Sequence, residues 1–309
     1  MGYPADNGAA IRPRVSIVQR QSIVELLFDQ SLVEAHRARA LKSGDRSAAF
    51  LLQIAADELA DRLAVIERHF DEAVELHGYT GQVAERLMQT GKIGHVTRVE
   101  TVADQPEMIA APLEHVPLAP GSANLVVSPL SLHLTNDTPG VFIQVRRALA
   151  PDGLFLAAIP GAGTLQELRE VMLAAESEIT GGASPRVIPF VDVREVGGLL
   201  QRAGYALPVV DSDSYTVRYD SLFALARDLR AMGMANPLLG RSRTPLPRKV
   251  LMRAAELYAT RFSDPDGRIR ATFTIIYVSG WAPHESQQQP LKPGSAKMRL
   301  ADALKVKDS

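Results

Sequence analysis

The chain has 309 residues, 46% of them hydrophobic and 22% charged, and a net charge of −1. Such a balance supports one large or two small domains with ample core, and it excludes a broad nucleic-acid-binding surface, which needs a basic excess. The sequence contains no cysteine, which excludes disulfides, thiolate metal sites and a cysteine nucleophile and suits a reducing compartment.

Residues 1–21 carry Arg12, Arg14 and Arg20 but also Asp6 and Pro13, and they read as a disordered extension rather than an import or secretory segment. A myristoylation signal is ruled out because Asp6 stands where serine or threonine is required. No apolar run approaches the roughly 20 residues that span a bilayer, so only peripheral membrane association stays open.

The stripe Val24, Leu27, Phe28, Leu32 and Ala35 predicts a helix from Ser22 to Ala40, with Arg37 and Arg39 on its solvated face. A second helix is predicted from Phe50 to Phe70. The first strand is expected at Glu72–Leu76, opening through His77-Gly78-Tyr79-Thr80-Gly81 into a helix over Gln82–Met88. HVTRVETV, from His95 to Val102, reads as the second strand.

The run from Asn124 to Pro160 has the form strand, polar loop, helix, turn and strand, the unit of an open parallel sheet. Leu125-Val126-Val127 suits a strand buried on both faces. Asn136 and Asp137 offer N-caps for a helix bearing Val141, Phe142, Val145 and Leu149, and Pro151-Asp152-Gly153 should stop it before the strand Leu154–Ile159. Ligands of such sheets sit at the carboxyl ends of the strands, which puts Ser128 to Asp137 at the mouth of a site. His133 is a candidate base with Asp137 as its orienting partner. The plainer alternative makes His133 a loop-lining residue and Asp137 a helix cap. A metal centre is not expected here, since no second ligand stands at metal-binding spacing.

Farther on, Thr164 and Glu167 have capping-box spacing. A helix should follow Val191 and end at Gly204. Helices over Ser221–Met234 and 246–262 form an insertion before a last strand at Thr272–Trp281, whose alternation suits an antiparallel position. Past Trp281 the composition turns polar, giving a C-terminal arm over 282–309 that is either solvated or meets a partner.

The string NLVVSPLSLHL with the following LAPDGLF resembles strands four and five of the class I S-adenosylmethionine-dependent methyltransferases. SPLSLHLTND and GWAPHESQQQP together resemble one branch of them, the methyltransferase-like assembly factors of respiratory complex I, relatives of the malonyl-carrier-protein methyltransferase. The resemblance implies an α/β, Rossmann-like fold: a seven-stranded mixed sheet with helices on both faces, spanning 22–281, with 221–262 as a helical cap.

It also implies a cofactor turn at 75–81. Glu75 matches the acid that receives the cofactor's amino group, and Gly81 matches the last glycine of the expected G-x-G-x-G. His77 and Tyr79 replace the other two glycines, with Gly78 between them. Glu100 falls where a ribose-binding carboxylate belongs. In APLEHVPL, Pro112 takes the place of an adenine-reading aspartate, leaving Glu114, with His115 beside it, as substitute. S-adenosylmethionine is therefore the implied cofactor, bound by a degenerate motif with Ser128 nearby. The turn with Thr164 and Arg169 is implied to border the substrate, though a plain helix start explains it equally well, and Arg186, in the Gly/Pro-rich loop over 181–190, is a candidate anion contact of the substrate.

For function the resemblance implies action on a protein substrate, a complex I subunit, by methylation or arginine hydroxylation. A non-catalytic assembly module is the alternative. The compartment would be the cytoplasm of a bacterium or the mitochondrial matrix of a eukaryote.

Overall fold

The computed structural model describes residues 26–44 and 46–287. The extension expected at 1–21 and the arm beyond 287 lie outside the described residues. The elements in chain order are α1 (Gln30–Ser43), α2 (Phe50–Ala64), β1 (Phe70–Leu76), α3 (Gln82–Met88), β2 (Ile93–Glu100), β3 (Met108–Ala110), β4 (Ala123–Pro129), α4 (Thr138–Ala148) and β5 (Leu149–Pro160). They continue with α5 (Gln166–Thr180), α6 (Val193–Ala203), β6 (Ala206–Tyr219), α7 (Leu222–Ala231), α8 (Arg248–Phe262) and β7 (Ile269–Trp281).

The seven strands form one sheet in the order β3-β2-β1-β4-β5-β7-β6. β1 to β5 pair in parallel, and β7 runs antiparallel between β5 and β6. The continuous apolar runs follow from burial on both faces. Leu125 and Val127 of β4 join a core with Leu59 and Leu63 of α2 and Val83 and Leu87 of α3. Val126 between them points to the other face, among Phe142 and Val145 of α4 and Leu200 of α6. β5 divides likewise, with Leu154 and Leu156 on the first face and Phe155 and Ala157 on the second.

Sequence reading and structure part at several boundaries. α1 starts at Gln30, capped by Asp29, and the expected helix does not run through 26–29, because Phe28 is held extended in a bridge with Leu238; positions 22–25 of that expectation lie outside the described residues. α2 ends at Ala64, and Phe70, expected at the end of that helix, begins β1. Pro151-Asp152-Gly153 is not a separate turn but the irregular start of β5, where the pairing with β4 shifts register. The expected capping box at Thr164 and Glu167 does not form. Thr164 instead exchanges hydrogen bonds with the Thr274 backbone, and Glu167 accepts from the Thr272 amide and hydroxyl. A capping box forms at Asp192 and Glu195, at the start of α6, whose end is Gly204 in the left-handed conformation.

α7 and α8 lie between β6 and β7, as the insertion reading requires. Val250, Leu257 and Tyr258 of α8 pack with Val171 and Met172 of α5 and Phe273 of β7, so the cap is anchored to the sheet. The polar arm does not start at residue 282, because Ala282 is 2% exposed. Its amide donates to the Gly153 carbonyl, its carbonyl accepts from Asp152, and Gln287 donates to the Asp152 carboxylate. Ending the chain at Trp281 should therefore cost on the order of 3 kcal/mol in urea unfolding, at about 1 kcal/mol per lost hydrogen bond. An unchanged midpoint would mean that these contacts contribute nothing.

Candidate functional site

A cavity of about 700 Å³ opens at the carboxyl ends of the central strands. Its floor is the turn after β1 (Tyr79, Thr80) and the ends of β4 and β5 (Pro129, Pro160), with His133 in its wall. Its roof is Arg37 of α1 together with Met232 to Met234 behind α7. This is where a parallel sheet places a ligand, since the strand ends diverge there into loops. The cap insertion thus supplies one wall of the cavity.

The turn at 77–81 keeps the backbone shape that glycines would give. His77 has φ 55°, Tyr79 φ 70° and Gly81 φ 79°. Left-handed backbone at a non-glycine residue costs roughly 1–2 kcal/mol, so neighbouring contacts must hold it. The Arg37 guanidinium donates to the His77 carbonyl at 2.8 Å and lies 5.1 Å from the Tyr79 ring centroid. The Tyr79 hydroxyl donates to the Arg37 carbonyl, and the Tyr79 amide donates to a Glu100 carboxylate oxygen.

The two acids are equally engaged. Glu75, 1% exposed, accepts from the Ala84 amide at 2.9 Å and from Arg98 Nε at 2.7 Å. Arg98 Nη2 reaches Glu100 at 3.3 Å. Burial pushes both carboxyls above their ordinary range, against the pull of Arg98 on Glu75 and of Arg37 on Glu100. A Cβ on Gly78 would meet the Glu75 carboxyl carbon at 2.2 Å, and one on Gly81 would meet the Arg98 guanidinium carbon at 2.8 Å. Both glycines therefore serve this internal ion pair.

In this arrangement the residues do not fit S-adenosylmethionine. The carboxylate that should receive its amino group is ion-paired within the chain. His77 and Tyr79 also carry side chains at positions where the expected motif has glycine, and Pro112 offers the adenine no side-chain acceptor.

His77 is 1% exposed, and its ring, which lies near the Pro112 backbone, makes no well-aligned hydrogen bond through either nitrogen. His133 lines both the main cavity and a small one of about 50 Å³ behind it. Its ring stacks on Phe190 at 6.2 Å, and its buried Nδ1 has no partner. Burial, helped by the nearby Arg37 charge, pulls both histidines down to about 3. Both are therefore neutral at physiological pH.

Other candidates fall away from this centre. Asp137 is exposed, and its carboxylate caps α4 by accepting from the Gly140 amide at 2.9 Å, so it does not orient His133. Ser128 is buried and bonded to Ser131. Glu114 accepts from Gln30 and from the Asn136 amide, tying α1 to the loop after β4, while His115 faces solvent. Arg169 donates to the Ile188 carbonyl, and Arg186 is paired with Glu176. Arg186 is thus neutralised rather than waiting for an anion.

Two residues that sequence reasoning passed over hold the centre together. Arg37, assigned there to a solvated helix face, is 8% exposed and lines the cavity. Arg98 carried one available signal, its place two residues before Glu100 and hence on the same side of β2.

Residues 78–157 match the family described as a methyltransferase domain. Over 290 residues the chain is 34% identical to the mitochondrial arginine-hydroxylase NDUFAF5 of Danio rerio, covering 91% of this chain and 90% of that protein. The Dictyostelium discoideum arginine-hydroxylase NDUFAF5 is 44% identical over 182 residues, 59% of this chain but only 42% of its own length. A malonyl-[acyl-carrier protein] O-methyltransferase of Laribacter hongkongensis is 31% identical, covering 86% of this chain and 94% of that enzyme. Among solved structures, the YcgJ protein of Bacillus subtilis shares the fold, with a TM-score of 0.51, 12% identity, and 73% of this chain and 98% of that chain covered. The strand order, the retained turn and these alignments agree: the chain belongs to the class I methyltransferase family, in the branch of the NDUFAF5 arginine hydroxylases.

Proposed function

We propose that this protein acts on an arginine of a protein substrate during assembly of respiratory complex I, by hydroxylation rather than methyl transfer. The observation that carries this reading is the cofactor turn, which keeps the methyltransferase backbone while its acid, Glu75, is ion-paired to Arg98. The names of the alignable relatives support arginine as the target.

Within the cavity the chain's own residues bind and orient. Glu85, exposed at the lip, is the one acid among the described lining residues and offers a partner for a substrate guanidinium. Tyr79 and the apolar wall of Leu51, Leu52 and Leu130 receive the aliphatic stem. Hydroxylation exchanges a C–H bond for C–O–H; with dioxygen as oxidant, one oxygen atom enters the product and the other leaves as water, taking two protons and two electrons from a reduced co-substrate, and the residues named here are assigned binding alone.

A second reading, a non-catalytic assembly module, is favoured by the same ion pair, since a fold that has closed its cofactor turn can still present a binding surface. One experiment separates the two. The gene is deleted and restored in its own host, complex I is resolved by native electrophoresis, and its subunits are analysed by mass spectrometry. An added oxygen on an arginine, present only with the protein, supports the hydroxylase. Assembly restored without any such modification supports the module, and no effect on assembly rejects both.

A further inference from the structure

We infer that Arg98 is an internal occupant of the methyl donor's acidic subsites, and that, beside the changes at 77, 79 and 112, it excludes free S-adenosylmethionine from this protein. The inference rests on reading 75–81 as the family's cofactor turn. Arg98 and Glu75 are directly paired neighbours on the parallel strands β2 and β1. One guanidinium therefore reaches two carboxylates at once, Glu75 at 2.7 Å and Glu100 at 3.3 Å, and its Nη2 also reaches the Tyr79 carbonyl at 3.4 Å. These acids are the ones the resemblance gives to the donor's amino group and ribose. A cation tethered beside them in the same chain competes at an effective concentration far above that of a free metabolite.

The surroundings are built for this occupant. The guanidinium packs where Gly81 has no Cβ, so any larger residue there would collide with it. Its side chain is 18% exposed and that of Glu75 is 0% exposed, so water does little to loosen the pair. The planar fork of arginine suits two carboxylates, whereas the point charge of lysine would satisfy one. Arg37 closes the other side of the turn by holding the His77 carbonyl and stacking on Tyr79. Arg98 thus acts through Glu75 and Glu100 as a specificity-determining, positioning residue.

The test measures binding and not turnover. Isothermal titration and thermal melting with S-adenosylmethionine and S-adenosylhomocysteine are run on the unmodified chain, Arg98→Gln and Arg98→Lys. The unmodified chain should show neither saturation at micromolar ligand nor a shift in Tm. Arg98→Gln should gain at least tenfold in affinity and show a ligand-dependent rise in Tm, and adding Glu75→Gln to it should abolish the gain. Arg98→Lys, which keeps a cation beside Glu75 and so protects folding, should gain less.

Micromolar binding by the unmodified chain overturns the inference, as does a folded Arg98 variant that gains nothing. The assembly experiment above is scored separately. Donor affinity gained by Arg98→Gln in a protein that does not support complex I assembly would sink the proposed function and leave this inference standing. Assembly with no gain in affinity would do the reverse.

Discussion

Lowering the pH from 6.5 to 4.5 should destabilise this protein through His77 and His133 by roughly 5 kcal/mol together. Both histidines titrate near 6.5 in the unfolded chain and at about 3 in the folded one. Between those values the unfolded chain binds more protons, so stability is lost as pH falls through that window. The cause is burial, reinforced by the charge of nearby Arg37. His36, also pulled down by burial, adds to the loss. Glu75 and Glu100 are raised by burial and act in the opposite direction.

The clean measurement is therefore a comparison. Urea unfolding of the unmodified chain and of His77→Gly with His133→Phe is followed at pH 6.5, 5.5 and 4.5. The carboxylate contributions are shared by both proteins. The difference in unfolding free energy should move in the variant's favour by about 1.4 kcal/mol per pH unit for each histidine. Parallel pH profiles would show that the imidazoles are not the acid-sensitive groups.

Glu75→Ala should cost about 3 kcal/mol, the low end of the usual penalty for removing one partner of a buried ion pair, because Arg98 keeps Glu100. The substitution leaves Arg98 with Glu100 as its one carboxylate partner and takes the acceptor from the Ala84 amide at the start of α3. Glu75→Gln keeps an oxygen for that amide and should recover part of the loss. The check is urea unfolding of both variants at neutral pH. If alanine costs less than 1 kcal/mol, the pair is not holding the turn.

The stretch from Asn124 to Pro160 was legible because its determinants are local: apolar runs for a two-faced strand, Asp137 to start α4, and Val141, Phe142 and Val145 to seat it. α3 begins and ends where its sequence says, because the turn before it and the Gln82–Met88 stripe lie within a dozen residues. Errors arose where a distant partner intervened. Phe28 is drawn from a helical stripe by Leu238, and Thr164 and Glu167 leave their local pattern for β7. The acids and the turn of the site were visible, but their occupation was not. Glu75 and Arg98 meet through strand pairing, and Arg37 turns inward because the His77 carbonyl awaits it. A helical stripe does not record a hydrogen bond to another element.

β7 is the last strand among the described residues, yet it sits between β5 and β6. A chain emerging from the ribosome therefore carries β5 with an unpaired edge, and then β6 with nothing to pair against, until residue 281 has been made. At synthesis rates of about 5–20 residues per second, the roughly 120 residues after β5 take on the order of 6–24 s. Open strand edges are templates for association with other chains. Solubility at birth thus depends on the interval spent making the cap. Slower translation across 220–268 should raise the insoluble fraction of newly made protein, and faster translation should lower it.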